Sequence, residues 1–458
     1  MAITRLLPAA IARFVPTAIA RLVPTAIARF VPTAIALLVV VALSSCGGGA
    51  ATVTKPTTHG KHQAPPYVDI YAGLPLSGPM APEGHAILNG IRLAFHTLRT
   101  HSGNLQIHLK RPLNDSGEKT GDGNLKRTLE NAAAVARDPH AVYYIGDVGS
   151  AATAVSLPVL SAAGIAQMTP GDPFLAPPSA ARSGSAALAS KLLRLLPSDT
   201  VQAAADVLFF KEFPPHVTGS ACTHVLAFAQ GDPESEAGVL VNAIYAYAKA
   251  HANADGIQMP KPTILTGKTN SLTSTQAMAL QHQNPLTCGL VIAGSGLKPA
   301  VALTKLLHSF FPHAFIVDTS GLCSPVSKWD RMVAHEIPEI ADSLLWCTSP
   351  LLPLDQYAAL GHFVELYKRA YQGRYPSRYA FYGYEAADLG IAMIDDYLGA
   401  QGDNRVQMRT DLSQTLIRQS IASPYGYLTN GDSSLNSYGV YRVNPTNGKP
   451  VFDTTLRP

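Results

Sequence analysis

The polar residues that could do chemistry in this 458-residue chain lie in short loops rich in glycine and other small residues. These loops supply hydroxyl groups, carboxylates and free backbone N–H groups. The chain has no GxSxG or HExxH motif that would pair a nucleophile with a base or hold a metal. We therefore expect non-covalent binding of a small polar molecule, with no catalytic residues and no cofactor. The six loops are LSGPMAPEG, GDVGSAAT, MTPGDP, AQGDPESE, AGSG and DTSG.

The composition argues against a nucleic-acid groove and allows a large buried core. The chain is 47% hydrophobic and 14% charged. Its net charge of +4 comes from four arginines before Cys46, a stretch without acidic residues, and the remaining 31 basic residues equal the 31 acidic ones. A nucleic-acid groove needs concentrated Lys and Arg, so we expect no nucleic-acid partner. At this length the core is expected to divide between two lobes.

Strand-like and helix-like segments alternate along the chain. Strands are predicted at YVDIYAGLPL, LQIHLKRPLND, AVYYIGDVGS and IAQMTPG, followed by a helix at SGSAALASKLLRLLPSD. The alternation then begins again, with strands at CTHVLAFAQG, CGLVIAGSG and HAFIVDTSG. This order predicts an α/β fold of two doubly wound lobes with helices on both faces of each parallel sheet. Neither lobe opens with GxGxxG, which disfavours a dinucleotide site.

The six polar loops follow predicted strands, and ligands of open parallel sheets bind beyond the carboxyl ends of the strands. Helices that begin at APEGH and SAAT would direct unpaired backbone N–H groups into this crevice, where they favour a carboxylate or another anion. Ser150 and Thr153 begin the second helix, and the alternative is that they only cap it. Asp172 and Asp232 each precede a proline in turn-like stretches, where Asp is common without a ligand.

The first 45 residues have the features of an export signal. Repeats of the type AIARFVPT place Pro every eight residues, which forbids a long continuous helix. Arg29, an apolar stretch from Ala34 to Leu43 and small residues before Cys46 then fit a secretory signal. LSSC resembles the lipobox of bacterial lipoproteins, which implies an acyl anchor on Cys46. The alternative is a plain signal peptide, and residues 46–66 predict a flexible tether in either case.

Two segments have metal-binding residue types without the spacing of a metal site. NDSGEKTGDGN lacks the alternating carboxylates and terminal Glu of a calcium loop, so we interpret it as a surface loop. HGKHQ lies in the predicted tether, where its histidines are expected to be solvated. No metal site is predicted.

Three segments resemble type 1 periplasmic binding proteins, notably the branched-chain amino acid binding proteins of ABC importers. They are GLPLSGPMAPEGHAILNGIRLAF, VYYIGDVGSAATAVSLPVLSAAGIAQMTPGDP and YAFYGYEAADLGIAMIDD, and the closing GYLTNGDSSLNSYGVYRVNPTNGKPVF resembles the family's final hairpin. The resemblance runs from about Tyr67 to the end of the chain. It implies two lobes of flavodoxin-like strand order, joined by a three-strand hinge, that close on a small solute and deliver it to a membrane permease.

The resemblance also implies where the chain crosses between the lobes. The crossings are expected near Leu196, Ser349 and Ala422. Lobe 1 would then comprise residues 67–195 and 350–421, and lobe 2 residues 196–349 and 422–458.

The resemblance implies a ligand site only in part. Ser150 matches the family serine that binds the ligand carboxylate, and Met80 and Glu83 lie in the wall formed by the first loop. The family's SPAAT is TPGDP here, so Pro173 replaces a threonine that holds the amino-acid head group and Asp172 adds a carboxylate. The acidic partner of the ligand ammonium has no clear match in lobe 2. The expected ligand-binding residues are Ser77, Met80, Glu83, Gly149, Ser150, Thr153, Thr169, Gly171, Asp172, Asp232, Ser295 and Asp318.

Four further cysteines form an even set in a chain predicted to be exported, and none has CxxC spacing, which favours disulfides over a zinc site. If lobe 2 has the flavodoxin-like order, Cys222 and Cys288 lie at the amino ends of neighbouring strands. Cys323 and Cys347 then follow the carboxyl ends of the next two strands. The favoured pairs are 222 with 288 and 323 with 347, and four free thiols are the alternative.

The expected function is that of a lipid-anchored, extracytoplasmic solute-binding protein of an ABC importer. It would act as a monomer whose partners are the solute, the permease and the membrane that holds its acyl anchor. The alternative is a sensory or regulatory envelope lipoprotein that uses the same fold without transport. An exported hydrolase is disfavoured because no catalytic motif is present.

Overall fold

A computed structural model describes residues 66–458 except 79, 103, 116–123, 172–191, 215–218, 268–270, 295–296, 320–328, 341–342, 358–359 and 402–431. All of them belong to one compact unit, Gln63–Pro458. The predicted signal and residues 46–65 of the predicted tether lie outside the described residues. So do five residues singled out from the sequence: Cys46, Asp172, Pro173, Ser295 and Cys323.

The first sheet is built around central strands in which most residues are buried. Its strands run in the order β2-β3-β1-β5-β6-β7, with β4 paired to β1. All pairings are parallel except β2 with β3. The strands are β1 (Tyr67–Leu74), β2 (His101–Ser102), β3 (Leu105–Leu109), β4 (Leu113–Asn114), β5 (Ala141–Ile145), β6 (Ala166–Thr169) and β7 (Leu192–Arg194), and the helices between them are α1 (Ala81–Thr97), α2 (Leu125–Arg137) and α3 (Ser150–Ala162).

The second sheet repeats this arrangement and adds a hairpin. Its order is β14-β13-β12-β11-β10-β8-β9, with antiparallel pairing only at β12–β13 and β13–β14. Its strands are β8 (Val225–Gln230), β9 (Thr263–Leu265), β10 (Gly289–Ala293), β11 (Phe315–Thr319), β12 (Leu345–Ser349), β13 (Tyr438–Val443) and β14 (Pro450–Leu456). The helices between β7 and β12 are α4 (Asp199–Glu212), α5 (Glu236–Ala250), α6 (Ala252–Asp255), α7 (Ser274–Gln283), α8 (Leu297–Phe310) and α9 (Trp329–Glu336).

Two long helices follow β12 and return to the first sheet. They are α10 (Leu360–Ala370) and α11 (Arg378–Gln401), and short 3₁₀ turns lie at Pro338–Ile340 and Leu354–Gln356. Helix α11 packs mainly on α1. None of the described helices is both long and apolar enough to cross a membrane.

Both sheets confirm the predicted flavodoxin-like order, because the first strand of each lobe lies between the second and the third. The predicted closing hairpin is β13–β14. Two local predictions were wrong. LQIHLKRPLND forms two separate strands, β3 and β4, and Leu192–Arg194, which lies in a predicted helix, is the buried strand β7. A run as short as Leu-Leu-Arg has no periodicity that distinguishes a buried strand from a helix.

The segments that pass between the sheets start where β7 and β12 end. After Arg194 the chain runs through Pro197 into α4, which packs on the second sheet, and after Ser349 it returns to the first. The third expected crossing, near Ala422, lies outside the described residues. The exact lobe boundaries stay a prediction.

One predicted disulfide is present. Cys222 and Cys288 are bonded, with their Cα atoms 5.5 Å apart, and they lie just before the paired strands β8 and β10. The flavodoxin-like order therefore explains why these two cysteines meet. Cys347 lies in β12 and is also disulfide-bonded. Its predicted partner Cys323 is outside the described residues, so that pairing stays a prediction.

The contact between α1 and α11 depends on two glycines. A Cβ atom at Gly90 would overlap the carbonyl oxygen of Ala380, and one at Gly383 would overlap the carbonyl oxygen of Ile87. We expect Gly90→Ala to lower the free energy of unfolding by about 1–3 kcal/mol, because the two helix backbones must separate to admit the methyl group.

Gly361 is the matched control for Gly90. It lies in α10 with no heavy atom within 4 Å of the position that its Cβ would take. Gly361→Ala should therefore leave stability unchanged or raise it slightly, because Ala favours the helix. Urea unfolding of both variants checks the expectation, and equal stabilities would show that the α1–α11 contact tolerates a side chain.

Candidate functional site

The first lobe presents three connected loops at the carboxyl ends of β1, β5 and β6. The loop after β5 leads into α3, which begins at Ser150, and its preceding Gly149 has a φ of 105°, a conformation that favours glycine. The hydroxyl of Thr169 at the end of β6 donates to the Asp147 carbonyl at 2.6 Å and accepts from Gly171 N–H at 3.3 Å. The structure thus brings the predicted residues Gly149, Ser150, Thr169 and Gly171 onto one rim.

Thr153 points back into its own helix. Its hydroxyl donates to the Gly149 carbonyl at 3.1 Å, and the residue is 4% exposed. This geometry favours the alternative in which Thr153 stabilises the start of α3. Its proposed contact with a ligand stays untested.

The first loop is held by Asn114 at the end of β4. The Asn114 side chain donates to the Ser77 hydroxyl at 3.0 Å and accepts from Leu76 N–H at 3.0 Å. Met80 is half-buried just before α1. Glu83, one turn into α1, is buried beside the segment that follows β12 rather than among the residues of the α3 rim.

Behind the rim lies a buried acidic pair that the sequence analysis missed. Tyr144 donates its hydroxyl to Asp147 at 2.8 Å, and both residues are fully buried. Asp115 follows β4 and is 3% exposed, so the interpretation of NDSGEKTGDGN as a surface loop was wrong at this residue. Burial, and then the neighbouring charge of Asp147, raises the pKa of Asp115. At neutral pH one proton therefore stays on this pair.

The second lobe presents the loop between β8 and α5. Asp232 is exposed and its carbonyl accepts from both the N–H and the hydroxyl of Ser235, at 2.9 and 2.6 Å. Ser235 in turn caps α5 by accepting from Gly238 N–H at 3.2 Å. Asp232 thus lies in a turn, and its proposed contact with a ligand stays untested.

Asp318 lies near the carboxyl end of β11, as the sequence predicts. It is fully buried within β11, in register with Ile292 and Cys347 on the neighbouring strands. Its assignment to the ligand site stays untested, as do those of Asp172 and Ser295, which lie outside the described residues.

A hydrogen bond joins the two rims. The Ser150 hydroxyl donates to Oε2 of Glu236 at 3.3 Å. Ser150 is the first residue of α3 and Glu236 the first residue of α5, so two helix N-termini from different sheets face each other here. Backbone N–H groups at both ends favour a carboxylate between them. In the sequence, Glu236 was marked only by its position directly after Ser235, a residue type that often caps helices.

A buried ion pair stabilises the connection between the sheets. Arg194 at the end of β7 bonds Asp432 with an Nη1–Oδ1 distance of 2.9 Å, and each side chain is under 8% exposed. Ser433 donates to the Leu195 carbonyl at 3.3 Å, and Tyr438 of β13 donates to the Pro197 carbonyl at 3.2 Å. These contacts fix the path of the first crossing.

A second cluster of titratable groups lies at the opposite end of β1. Atoms of Asp69, Asp138 and His140 that could bind a metal lie within 4.8 Å of one another. However, the Lys110 ammonium is 3.2 Å from Asp69, and Tyr71 donates to Asp138 at 2.6 Å. Because each carboxylate already has a partner, we assign no metal to this cluster.

Solved structures of ABC transporter substrate-binding proteins share this architecture. The leucine-binding protein LivK of Thermotoga maritima is 19% identical with a TM-score of 0.62, over 85% of this chain and 99% of its own. LivJ of Streptococcus pneumoniae, in complex with isoleucine, is 14% identical with a TM-score of 0.61, over 86% and 100%. A solute-binding protein of R. palustris, in complex with benzoate, is 16% identical with a TM-score of 0.58, over 86% and 97%.

No family model and no curated protein matches the chain. The resemblance read from the sequence is confirmed at the level of the fold by the strand order of both sheets and by these structures. The chain has the type 1 periplasmic binding protein fold.

Proposed function

We propose that this protein binds a small carboxylate-bearing solute, amino-acid-like or related, between its two lobes and delivers it to an ABC permease. The observation that supports this best is the Ser150–Glu236 hydrogen bond, which joins a helix N-terminus of one lobe to one of the other. Two groups that bind one small solute from opposite lobes must lie close to each other, as Ser150 and Glu236 do.

The proposed mechanism is hinge closure. The solute carboxylate replaces Glu236 on the Ser150 hydroxyl and docks on the backbone N–H groups at the start of α3. Glu236 then closes from lobe 2 on the solute and accepts a hydrogen bond from an ammonium or other donor on it. Glu236 would thus supply the acidic partner that had no clear match in the sequence. Closure shifts the population towards the form that the permease recognises.

The choice of solute follows from chemistry that the structural neighbours share. Leucine, isoleucine and benzoate, named for three of these neighbours, all carry a carboxylate on an apolar body. Their head groups differ, and this chain also departs from the amino-acid pattern at Asp172 and Pro173. We therefore propose the carboxylate as the common feature and leave the side chain of the solute to a screen.

We further propose that the protein works as a monomer at the extracytoplasmic face of the cell membrane, held by an acyl group on Cys46 and the tether of residues 46–66. The support is the LSSC segment and the small, polar composition that follows it. Metabolic labelling with a radioactive fatty acid tests this directly. Label that persists in Cys46→Ala would contradict the proposed anchor.

We expect Ser150→Ala and Glu236→Gln to weaken solute binding by roughly tenfold each. A hydrogen bond to a charged group contributes about 1.5–3 kcal/mol, and each variant removes or weakens one. The solute is first found by a thermal-shift screen of amino acids and aromatic acids, because binding only the folded state raises its stability. Isothermal titration calorimetry then measures the affinity of each variant.

Glu234→Gln is the matched control, since Glu234 is an exposed acidic residue two positions before Glu236. It should leave the affinity unchanged. If Ser150→Ala also binds the solute as tightly as the wild type, the assignment of the carboxylate to the start of α3 is wrong.

A further inference from the structure

A cavity separate from the rim of Ser150 lies between α1 and the segment that follows β12. It has a volume of about 420 Å³, within the range of small-molecule sites. Its wall is mainly apolar, and its lining includes Pro82, Glu83, Ala86, Leu351, Tyr375 and Arg378. We call it the hinge cavity, because Leu351 lies on the segment by which the chain returns from the second sheet to the first.

Glu83 is the unusual residue of the hinge cavity. It is 2% exposed, and apart from its own backbone N–H neither of its carboxylate oxygens has a hydrogen-bond partner in the described part of the chain. Its place in the first turn of α1 suits a negative charge through the helix dipole. That effect does not explain why the carboxylate is buried, since the helix dipole also stabilises an exposed group.

Burial without a partner is costly for a carboxylate. Burial also raises the pKa of Glu83, which is the expected response of such a group. A ligand that brings a positively charged hydrogen-bond donor into the cavity would satisfy Glu83 and favour its ionised form. The unpaired side chain therefore points to the polar group of an occupant.

Arg378 does not compete for this role. It donates from Nη1 to the Leu351 carbonyl and, at 2.7 Å, to the Tyr441 hydroxyl, and its guanidinium lies 5.0 Å from the centre of the Tyr441 ring. No ion pair joins it to Glu83 among the described residues. Arg378 is thus engaged with the hinge and with lobe 2, while the Glu83 carboxylate is left for a ligand.

The apolar wall indicates that the rest of the ligand is apolar. Tyr375 is 62% exposed at the edge of the cavity, and the proline rings and Ala86 offer no hydrogen bonds from their side chains. We propose that the hinge cavity is a second binding site, for a small apolar molecule that carries a primary amine, with Glu83 as its counter-ion. This site does not depend on the solute cleft proposed above.

The test is calorimetric titration of the full chain at pH 8 with three indole probes. Tryptamine carries the amine, 3-methylindole has no charge, and indole-3-propionate carries the opposite charge. We expect tryptamine to bind at least tenfold more tightly than either of the others. Failure of tryptamine to bind, or equal binding of indole-3-propionate, would overturn the proposal.

Variants then locate the site. Glu83→Gln is nearly isosteric and should weaken tryptamine at least tenfold while leaving 3-methylindole unchanged. Tyr375→Ala alters an exposed side chain, so the fold should survive, and it should weaken both probes. Ser150→Ala should leave tryptamine binding unchanged. If Ser150→Ala abolishes tryptamine binding and Glu83→Gln does not, the amine binds in the cleft and the hinge cavity is not its site.

Discussion

Arg194→Ala is expected to lower the free energy of unfolding by about 3–5 kcal/mol, because it leaves the Asp432 carboxylate buried without its cation. The pair lies where the chain leaves the first sheet and where β13 begins. Its loss therefore also frees the path of residues 195–198, which Ser433 and Tyr438 help to fix. Chemical denaturation monitored by tryptophan fluorescence measures the change.

Two comparisons make the Arg194 result specific. Lys368→Ala removes an exposed ion pair with Glu365, 3.3 Å apart, and should change stability by less than about 1 kcal/mol. The double variant Arg194→Met with Asp432→Leu removes both charges and should recover most of the loss, because no buried charge is left unpaired. If Arg194→Ala costs no more than Lys368→Ala, the buried pair does not hold the crossing.

Asp206→Asn is expected to remove a large pH dependence of stability. Asp206 is fully buried in α4 and accepts from the Thr348 hydroxyl at 2.7 Å, while Gln202 donates to Thr348 at 3.2 Å. Burial raises the pKa of Asp206 to about 8, against a smaller lowering by the Thr348 hydrogen bond. The folded protein thus keeps a proton that the unfolded chain, with a pKa of about 3.9, has lost.

The sign of the effect follows from this difference. Below about pH 4 both states are protonated and the contribution of Asp206 to stability is complete. Between about pH 4 and pH 8 the folded state binds more protons, so the free energy of unfolding falls with rising pH by up to about 1.4 kcal/mol per unit. Asn keeps an oxygen acceptor for Thr348 and cannot ionise. The free energy of unfolding of the variant should therefore increase relative to that of the wild type as pH rises.

Urea unfolding at pH 5, 7 and 9 measures this slope. Buried Asp115 and Glu83, whose pKa values are also raised, add a background of the same sign in both proteins, so the difference between them isolates Asp206. Asp355→Asn is the control, because Asp355 is exposed. Parallel pH profiles for wild type and Asp206→Asn would show that Asp206 is ionised at neutral pH.

Much of the fold could be predicted because its signals are local. Buried parallel strands such as AVYYI are continuous apolar runs, and each is followed by a small polar loop and a helix. That alternation predicts the sheets, and the resemblance adds the strand order that makes Cys222 and Cys288 neighbours. Strand β7 was missed because three residues are too few to show a period.

Only the part of the candidate site that lies on the first sheet could be predicted from the sequence. Ser150 and Gly171 follow strands of one sheet and Thr169 ends one, so sequence order alone brings them to one rim. Glu236 meets Ser150 only because helices that belong to two separate sheets come into contact, and no sequence spacing encodes that contact. Likewise, Asp115 is buried because β4 pairs with the end of β1, a contact between residues far apart in sequence.

The most direct test of the proposed cleft is a crystal structure of the protein with the best hit from the carboxylate screen. We expect the solute between the first turns of α3 and α5, with its carboxylate on the Ser150 hydroxyl and the α3 backbone N–H groups and with Glu236 on its other side. A solute bound elsewhere, with Ser150 and Glu236 still bonded to each other, would contradict the proposal.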